Sequence, residues 1–494
     1  MTWSEYHEST KHSLDSLKRT PPSLDWANMP DPFRHYEGVP VLDLPADPPS
    51  PDVAALAVLN GFSGSLPAGD GPAFLSQLLF YSAAISASKR VPSTGQRYAL
   101  RVNPSSGNLH PTEFHFVTRG LKEWPAGLYH YRPSSHMAEQ RGVGTFNLNP
   151  RSSDSCAPVT FVLTSIAWRE AWKYRDRAYR YCLHDIGHAW QALALAAQAM
   201  GSDAVAFGHF RDSETSQSCG LPQDEWPMLI VELSGRSIPV CDEQPGPAVS
   251  YGGRANQIST ETIVYPAIEE IHMATKLNRK GQECIEAPGP PPKSSGQIKL
   301  PLAASSQTPF GEIVRRRRSA LDFQGGTRSI SLTQLSAMLS VASLPLSSDF
   351  AAARLTQLYV YAHRVDGLQP GVYRVWPDTE LEQIRSGDQR VAAAGLSLGQ
   401  DLAGNACVAL SMVGDFYRAV RAYGDRGYRY VHFEAGAIGQ RLYVAAEAFG
   451  LAATGIGAFY DEEVHRYLSL TPKQGQVVYH FAIGYAVPDS RLSA

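Results

Sequence analysis

Cysteine is scarce in this sequence, and its six copies (Cys156, Cys182, Cys219, Cys241, Cys284 and Cys407) are scattered without CxxC spacing. That excludes a zinc cluster and a disulfide framework and fits a reducing cytosol. None is placed as a nucleophile, and no histidine spacing suggests a metal. A long apolar run is also missing; the richest stretch, around Trp190 to Met200, is alanine-rich and fits a buried helix, not a membrane span. The opening MTWSEYHESTKHSLDSLKR has no apolar core of the kind a signal peptide needs, so a cytoplasmic protein is expected. Excess charge is absent too: a net −3 gives no reason to expect nucleic acid or an anionic membrane as partner. There is no Walker loop and no dinucleotide-binding glycine fingerprint.

What is present is a globular composition, 43% hydrophobic and 18% charged, in 494 residues, too many for one ordinary core. The chain also repeats itself. YRDRAYRY (174–181) returns as YGDRGYRY (423–430), and with an offset of 249 the match runs ungapped from Tyr174–Phe210 to Tyr423–Phe459. Gly187 meets Gly436, Gln191 meets Gln440 and Gly201 meets Gly450. Upstream, EFHFV and GLYHYRPSSHMAEQ (within 113–140) match QLYVY and GVYRVWPDTELEQI (within 357–384). A repeat of this length means duplicated domains, not a solenoid.

Each copy has the same grammar. FHFVT and YVYAH, GLYHY and GVYRV, VTFVLTS (159–165) and CVALSMVG (407–414), and MLIVELSG (228–235) and VVYHFAIG (477–484) alternate or run as strands. From Leu183 to Met200 apolar side chains occur on every side, which predicts a helix buried all round at an interface, stopped by Gly201 and, in the second copy, by Gly450. PGPPPKSSGQ (288–297) predicts a linker, with one helix before it around Tyr265–Leu277. The expected layout is an α+β domain over 1–240, a linker over 241–308 and a second α+β domain over 309–494. The repeated octets would open each interface helix, with Arg177, Arg180, Arg426 and Arg429 pairing with nearby acids and the tyrosines packing across the seam.

The copies have diverged in a complementary way. The first holds RVNPSSGNLHPTE (101–113), where the second has LSSDFAAARLTQ; the second holds VRRRRSALDF (314–323), which aligns with PDPFRHYEG in the first. PSSGN combines a rigid turn, two hydroxyls, a glycine and an amide, suited to the edge of a flat heteroaromatic ring, or to an ordinary polar turn. The arginine run with Ser319 suits a phosphate, or a solvated basic face. Together, a ring-edge binder in one half and a phosphate binder in the other match the two ends of flavin mononucleotide (FMN).

These motifs, with WKYRDRAYRYCLHDIGH (172–188) and YRYVHFEAGAIGQRLYVAAEAFGLAATGIGAFYDEEV (428–464), resemble the nitroreductase superfamily, and within it the SagB/ThcOx-type dehydrogenase branch in tandem-duplicated form. The resemblance, which extends from about Tyr6 to Val487, implies two fused nitroreductase-like domains forming an intramolecular pseudo-dimer around long buried helices, able to act without a second chain. FMN would lie in the seam. It implies a phosphate site at Arg317, Arg318 and Ser319 with Arg316 as helper, and a ring site at Pro104, Ser105, Ser106, Gly107 and Asn108. Backbone N–H groups of Gly455, Ile456 and Gly457 would approach the flavin. The branch's lysine–tyrosine pair falls on Lys173 and Tyr174, where a desolvated lysine would serve as base; a surface lysine beside a packed tyrosine is the other reading. The place two beyond Ser319, often basic in the family, is Leu321. His110, His184 and His188 fall near the pocket or in the core.

The implied function is FMN-dependent oxidation of a small-molecule or peptide-derived substrate. Reduction of nitro or quinone compounds by NAD(P)H, and flavin storage without turnover, are the alternatives.

Overall fold

The computed structural model describes residues 1–494 except 20–22, 65–68, 93–94, 149–156, 243–244, 278–297, 352–353, 377–379 and 494; the expected linker 288–297 lies outside the described residues. The helices that carry the argument are α1 (Trp3–Ser9), α2 (Ala55–Leu59), α3 (Ala167–Tyr174), α4 (Ala178–Ala199), α5 (Asp212–Cys219), α6 (Pro266–Ala274), α7 (Phe310–Arg316), α8 (Phe416–Tyr423), α9 (Gly427–Ala448) and α10 (Asp461–Tyr467). The first sheet is built on β1 (Thr112–Thr118), β2 (Gly127–Arg132), β3 (Met137–Val143), β4 (Val159–Ser165), β5 (Asp203–Phe207) and β6 (Trp226–Ser234), in the spatial order β3-β2-β1-β4-β6-β5. The second uses β7 (Thr356–Ala362), β8 (Gly371–Val375), β9 (Glu380–Ser386), β10 (Val408–Gly414), β11 (Ala452–Ile456) and β12 (Gln476–Gly484), in the order β9-β8-β7-β10-β12-β11. The fold is two copies of one antiparallel α+β domain, and α3, α4, β4 and β5 recur 249 residues later with the same boundaries.

The two long helices pack on each other at the centre. α4 and α9 are 22 residues each and buried on nearly every face, as their all-round apolar pattern predicts. Glycine permits the contact: a Cβ on Gly187 would lie 2.2 Å from the Phe433 carbonyl oxygen, and one on Gly436 2.1 Å from that of His184. Gly201 and Gly450, at φ +79° and +67°, end the helices in the left-handed conformation.

The octets fasten the halves together. Arg177 and Arg180 of the first copy reach Asp461 of the second at 3.0 and 2.9 Å, while Arg426 and Arg429 of the second reach Asp212 of the first at 2.6 and 2.8 Å. Each carboxylate also accepts a backbone N–H, from His12 and from Leu277 respectively. Burial alone would raise Asp461, but Arg177 and Arg180 outweigh it and hold its carboxyl below the usual range. Each pair also grips a helix end: Arg180 Nε donates to Thr10 Oγ1 and Arg429 Nε to Thr275 Oγ1, at 3.0 and 2.9 Å. Thus α6, between the two expected domains, is the counterpart of α1.

The structure corrects one expected correspondence. VRRRRSALDF has its counterpart not in PDPFRHYEG but in α2 and Gly61–Gly64. Pro309 and Ala54 bridge each other across the seam, and Gln198 donates to Gly61 O and Ser63 Oγ where its equivalent Glu447 accepts from Arg316. The arginines had erased the sequence likeness. PDPFRHYEG lies instead over the first sheet, held by Arg34 and Tyr36.

Candidate active site

A cavity of about 580 Å³ opens in the seam. The first half supplies the loop from Asn103 to Asn108, His110, and Lys173 with Tyr174 at the end of α3. The second supplies Arg317 to Leu321 and Thr454 to Ala458. Tyr181, Asp185 and His188 of α4, Tyr443 of α9 and Tyr479 of β12 also line it. Every predicted site residue except Arg316 is on this lining.

The PSSGN loop is bent hard. Gly107, Asn108 and His110 have φ of +59°, +61° and +50°, which for the last two is strained backbone. Gly107 is required for space as well, since a Cβ there would come within 2.7 Å of Tyr174 Oη and 3.1 Å of Lys173 Nζ. The polar side chains expected to grip a ring hold the loop instead. Ser105 Oγ accepts the His110 N–H at 2.8 Å, Asn108 Nδ2 donates to Ala99 O at 3.0 Å, and Ser106 donates its N–H (3.1 Å) and Oγ–H (3.0 Å) to Asp185.

Asp185 is thus the loop's anchor, and sequence reading missed it. Burial pushes its carboxyl up to about 7 against the hydrogen bonds of Ser105 and Ser106. Beside it, Glu170 is raised well above the ordinary value by burial and then by Asp185. Tyr174 is raised by burial and by Glu170 and stays a phenol. Lys173 is exposed, so the expected desolvation is absent. Burial lowers His188 to about 3 and leaves it neutral, with Nε2 3.1 Å from Tyr479 Oη. One signal for Asp185 was available: its repeat partner Glu434 does the same work, accepting the Leu355 and Thr356 N–H groups.

The opposite wall is cationic. Arg317 is 3% exposed; its Nε and Nη2 donate across the seam to Val102 O (3.1 Å) and Arg101 O (3.2 Å), and its Nη1 is buried without a partner. Arg318 donates to Ser86 Oγ and O, and is lowered to about 10 by burial and then by Arg317 and Arg315. Arg316 lies outside the cavity, exposed and paired with Glu312 (2.5 Å) and Glu447 (2.7 Å), because the last turn of α7 points it at α9. Ser319 Oγ meets Tyr443 Oη at 2.8 Å. Gly455 donates its N–H to that same oxygen at 3.0 Å, so it is not free for a ligand as expected. A Cβ on Gly455 or Gly457 would strike Tyr479 (1.9 Å) or Tyr181 (2.1 Å). Among the described residues no cluster of side chains could hold a metal ion.

The pseudo-equivalent seam is filled. The stretch aligned with the PSSGN loop lies along β5: Ser347 O accepts the Ala206 N–H at 2.9 Å, and Asp349 accepts the Gly208 and His209 N–H groups at 2.8 and 3.1 Å. Phe350 stacks on Tyr430 with centroids 4.4 Å apart. Where the open cavity has His188 and Tyr443, this seam has Ala437 and Ala194.

Comparison with known proteins fits this geometry. The pattern of the nitroreductase family matches residues 83–236 and again 314–485. The chain belongs to the nitroreductase family. A crystal structure of a protein from Anabaena variabilis described as a nitroreductase matches this nitroreductase-family chain with a TM-score of 0.77 and 25% identity, over 98% of this chain and 99% of that one. A protein of Methanocaldococcus jannaschii named as a nitroreductase is 35% identical over 116 residues, 23% of this chain and 58% of that one. The microcin B17-processing protein McbC of Escherichia coli is 30% identical over 148 residues, 27% of this chain and 54% of that one. The chain thus spans little more than half the length of these two curated relatives. Among the described residues no helix is long and apolar enough to cross a membrane.

Proposed function

We propose that this protein binds FMN in the seam cavity and oxidises a small-molecule or peptide-derived substrate, as a SagB-type dehydrogenase. One observation carries the reading: in a single cavity, an arginine cluster from the second half faces a strained glycine loop and the Lys173–Tyr174 pair from the first. The size suits a cofactor and substrate together. The residues fit the group, because Arg317 Nη1, Asn103 Oδ1 and His110 Nδ1 are buried on the lining without partners. Arg317, Arg318 and Ser319 would hold the phosphate, and Asn103 and His110 are the polar groups left for the ring edge. The bound flavin would supply the hydride acceptor. Lys173 Nζ and Tyr174 Oη would hydrogen-bond the substrate where it loses its proton, and the exposure of Lys173 leaves that proton a path to water. Similarity to McbC supports a peptide-derived substrate; the relatives named as nitroreductases support the reductase alternative. An open, partly exposed mouth, with Leu321 51% exposed, argues against simple storage.

Absorbance before and after anaerobic addition of NAD(P)H decides among these. Purified protein should carry a flavin spectrum that NAD(P)H leaves unchanged and that oxygen restores after substrate turnover. Immediate bleaching by NAD(P)H would make it a reductase. Colourless protein that takes up no FMN would remove the flavin reading altogether.

A further inference from the structure

One face of the first sheet carries a hollow that the chain itself fills. The segment 31–37, whose end (Tyr36–Glu37) pairs as a short strand with Arg254–Ala255, lies across it. Arg34 and Tyr36 donate their N–H groups to Glu113 (3.3 Å) and Glu139 (3.0 Å), and the Arg34 guanidinium pairs with Asp224 (2.7 Å) and Glu225 (3.3 Å). Arg34 and Tyr36 are 2% and 3% exposed. The walls carry these carboxylates beside Arg141 and Arg169, and the filler brings a further cation, as burial of charge demands.

The second half has the same hollow with fewer carboxylates and more cations on its lining. Ladder registers put Gln357 where the first half has Glu113, Tyr359 for His115 and Arg374 for His130, and the 249-residue offset puts Arg418 for Arg169 and Arg421 for Trp172. Among the described residues this hollow is open, about 520 Å³ in volume, and Arg374, Arg418, Arg421 and Lys473 line it against the single carboxylate Asp415, 3.9 Å from Arg418. Tyr359 and Tyr417 add aromatic wall. The chain's own linker is a poor complement: residues 278–297 contain three cations (Arg279, Lys280, Lys293) and two carboxylates (Glu283, Glu286).

We propose that this open hollow docks an extended acidic peptide from another molecule, laid across the second sheet as residues 31–37 are laid across the first. The duplication supplies the shape of the occupant, an extended strand-like segment, and the cationic lining supplies its sign.

Fluorescence anisotropy of fluorescein-labelled heptaglutamate with the full chain tests it, with heptalysine as control. Heptaglutamate should bind saturably and weaken at high salt, and Arg421→Glu with Lys473→Glu, both at exposed positions, should weaken it by about tenfold or more while leaving the melting curve unchanged. Heptalysine should not bind. Affinity unchanged in the charge-reversed protein would overturn the proposal, as would failure of heptaglutamate to bind. Displacement by citrate at matched carboxylate concentration would overturn it in favour of a small-anion pocket. Loss of binding in Arg318→Ala instead would place the peptide in the seam cavity and overturn it as well.

Discussion

Asp185 ties the strained PSSGN loop to the central helix, and its chemistry is set by burial. Its carboxyl is raised to about 7 in the folded protein from an ordinary 3.8, so the folded state holds a proton that the unfolded chain has already released. Between those values the unfolded state binds fewer protons, and stability falls as pH rises. Asp185→Asn removes the titration while keeping an acceptor for the Ser106 N–H. The stability of the native protein relative to this variant should therefore decline from about pH 4 to about pH 7 and then level off, as measured by denaturant melts across that range; a flat difference would show that Asp185 is ionised throughout. Much of the pocket was legible at this scale. Gly107, Lys173, Tyr174, Arg317, Arg318 and Ser319 were all read from the sequence and all line it. Which polar atoms stay free for a ligand was not legible, because that depends on who bonds whom. Ser105, Ser106 and Asn108 turn inward to hold their own loop, while Asn103 and His110 keep the unpartnered atoms.

Among the elements, the duplicated helices and their clamps fix how the halves meet. Arg177 and Arg180 begin one long helix and Arg426 and Arg429 the other, and each pair closes on the first turn of a helix from the opposite copy, α10 or α5. The repeated octet made the arginines conspicuous, but their acids stand 284 and 281 residues from Arg177 and Arg180, beyond any local pattern. The kinship of α1 and α6 was hidden for a related reason: YHEST and IHMAT share only a histidine and a threonine, at an offset different from 249. Removing one carboxylate strands two buried guanidinium groups. Asp461→Ala should cost about 3–5 kcal/mol, the usual penalty for breaking a buried ion pair. Asp212→Ala should cost a similar amount, since its environment repeats that of Asp461. Urea denaturation of both variants would check this; a loss below about 1 kcal/mol in either would reduce the clamp to the value of a surface pair.

At the scale of the whole molecule, duplication has given this chain two seams and divergence has left one of them open. Sequence comparison gave the direction of that decay, since the second copy's LSSDF replaces PSSGN, but not its result. In the structure those residues are a plug, because Asp349 satisfies the N–H groups of Gly208 and His209 and Phe350 takes the face of Tyr430. An aromatic ring stacked 4.4 Å from Tyr430 leaves no room there for another flat ring. The side chains that line the open cavity are missing as well, with alanine in place of His188 and Tyr443. If FMN is the ligand, flavin-free protein titrated with it should saturate at one equivalent per chain, followed by flavin absorbance after gel filtration. Two equivalents would mean that the Ser347–Phe350 segment leaves its place, and the closed seam would then be a second working site and not a relic.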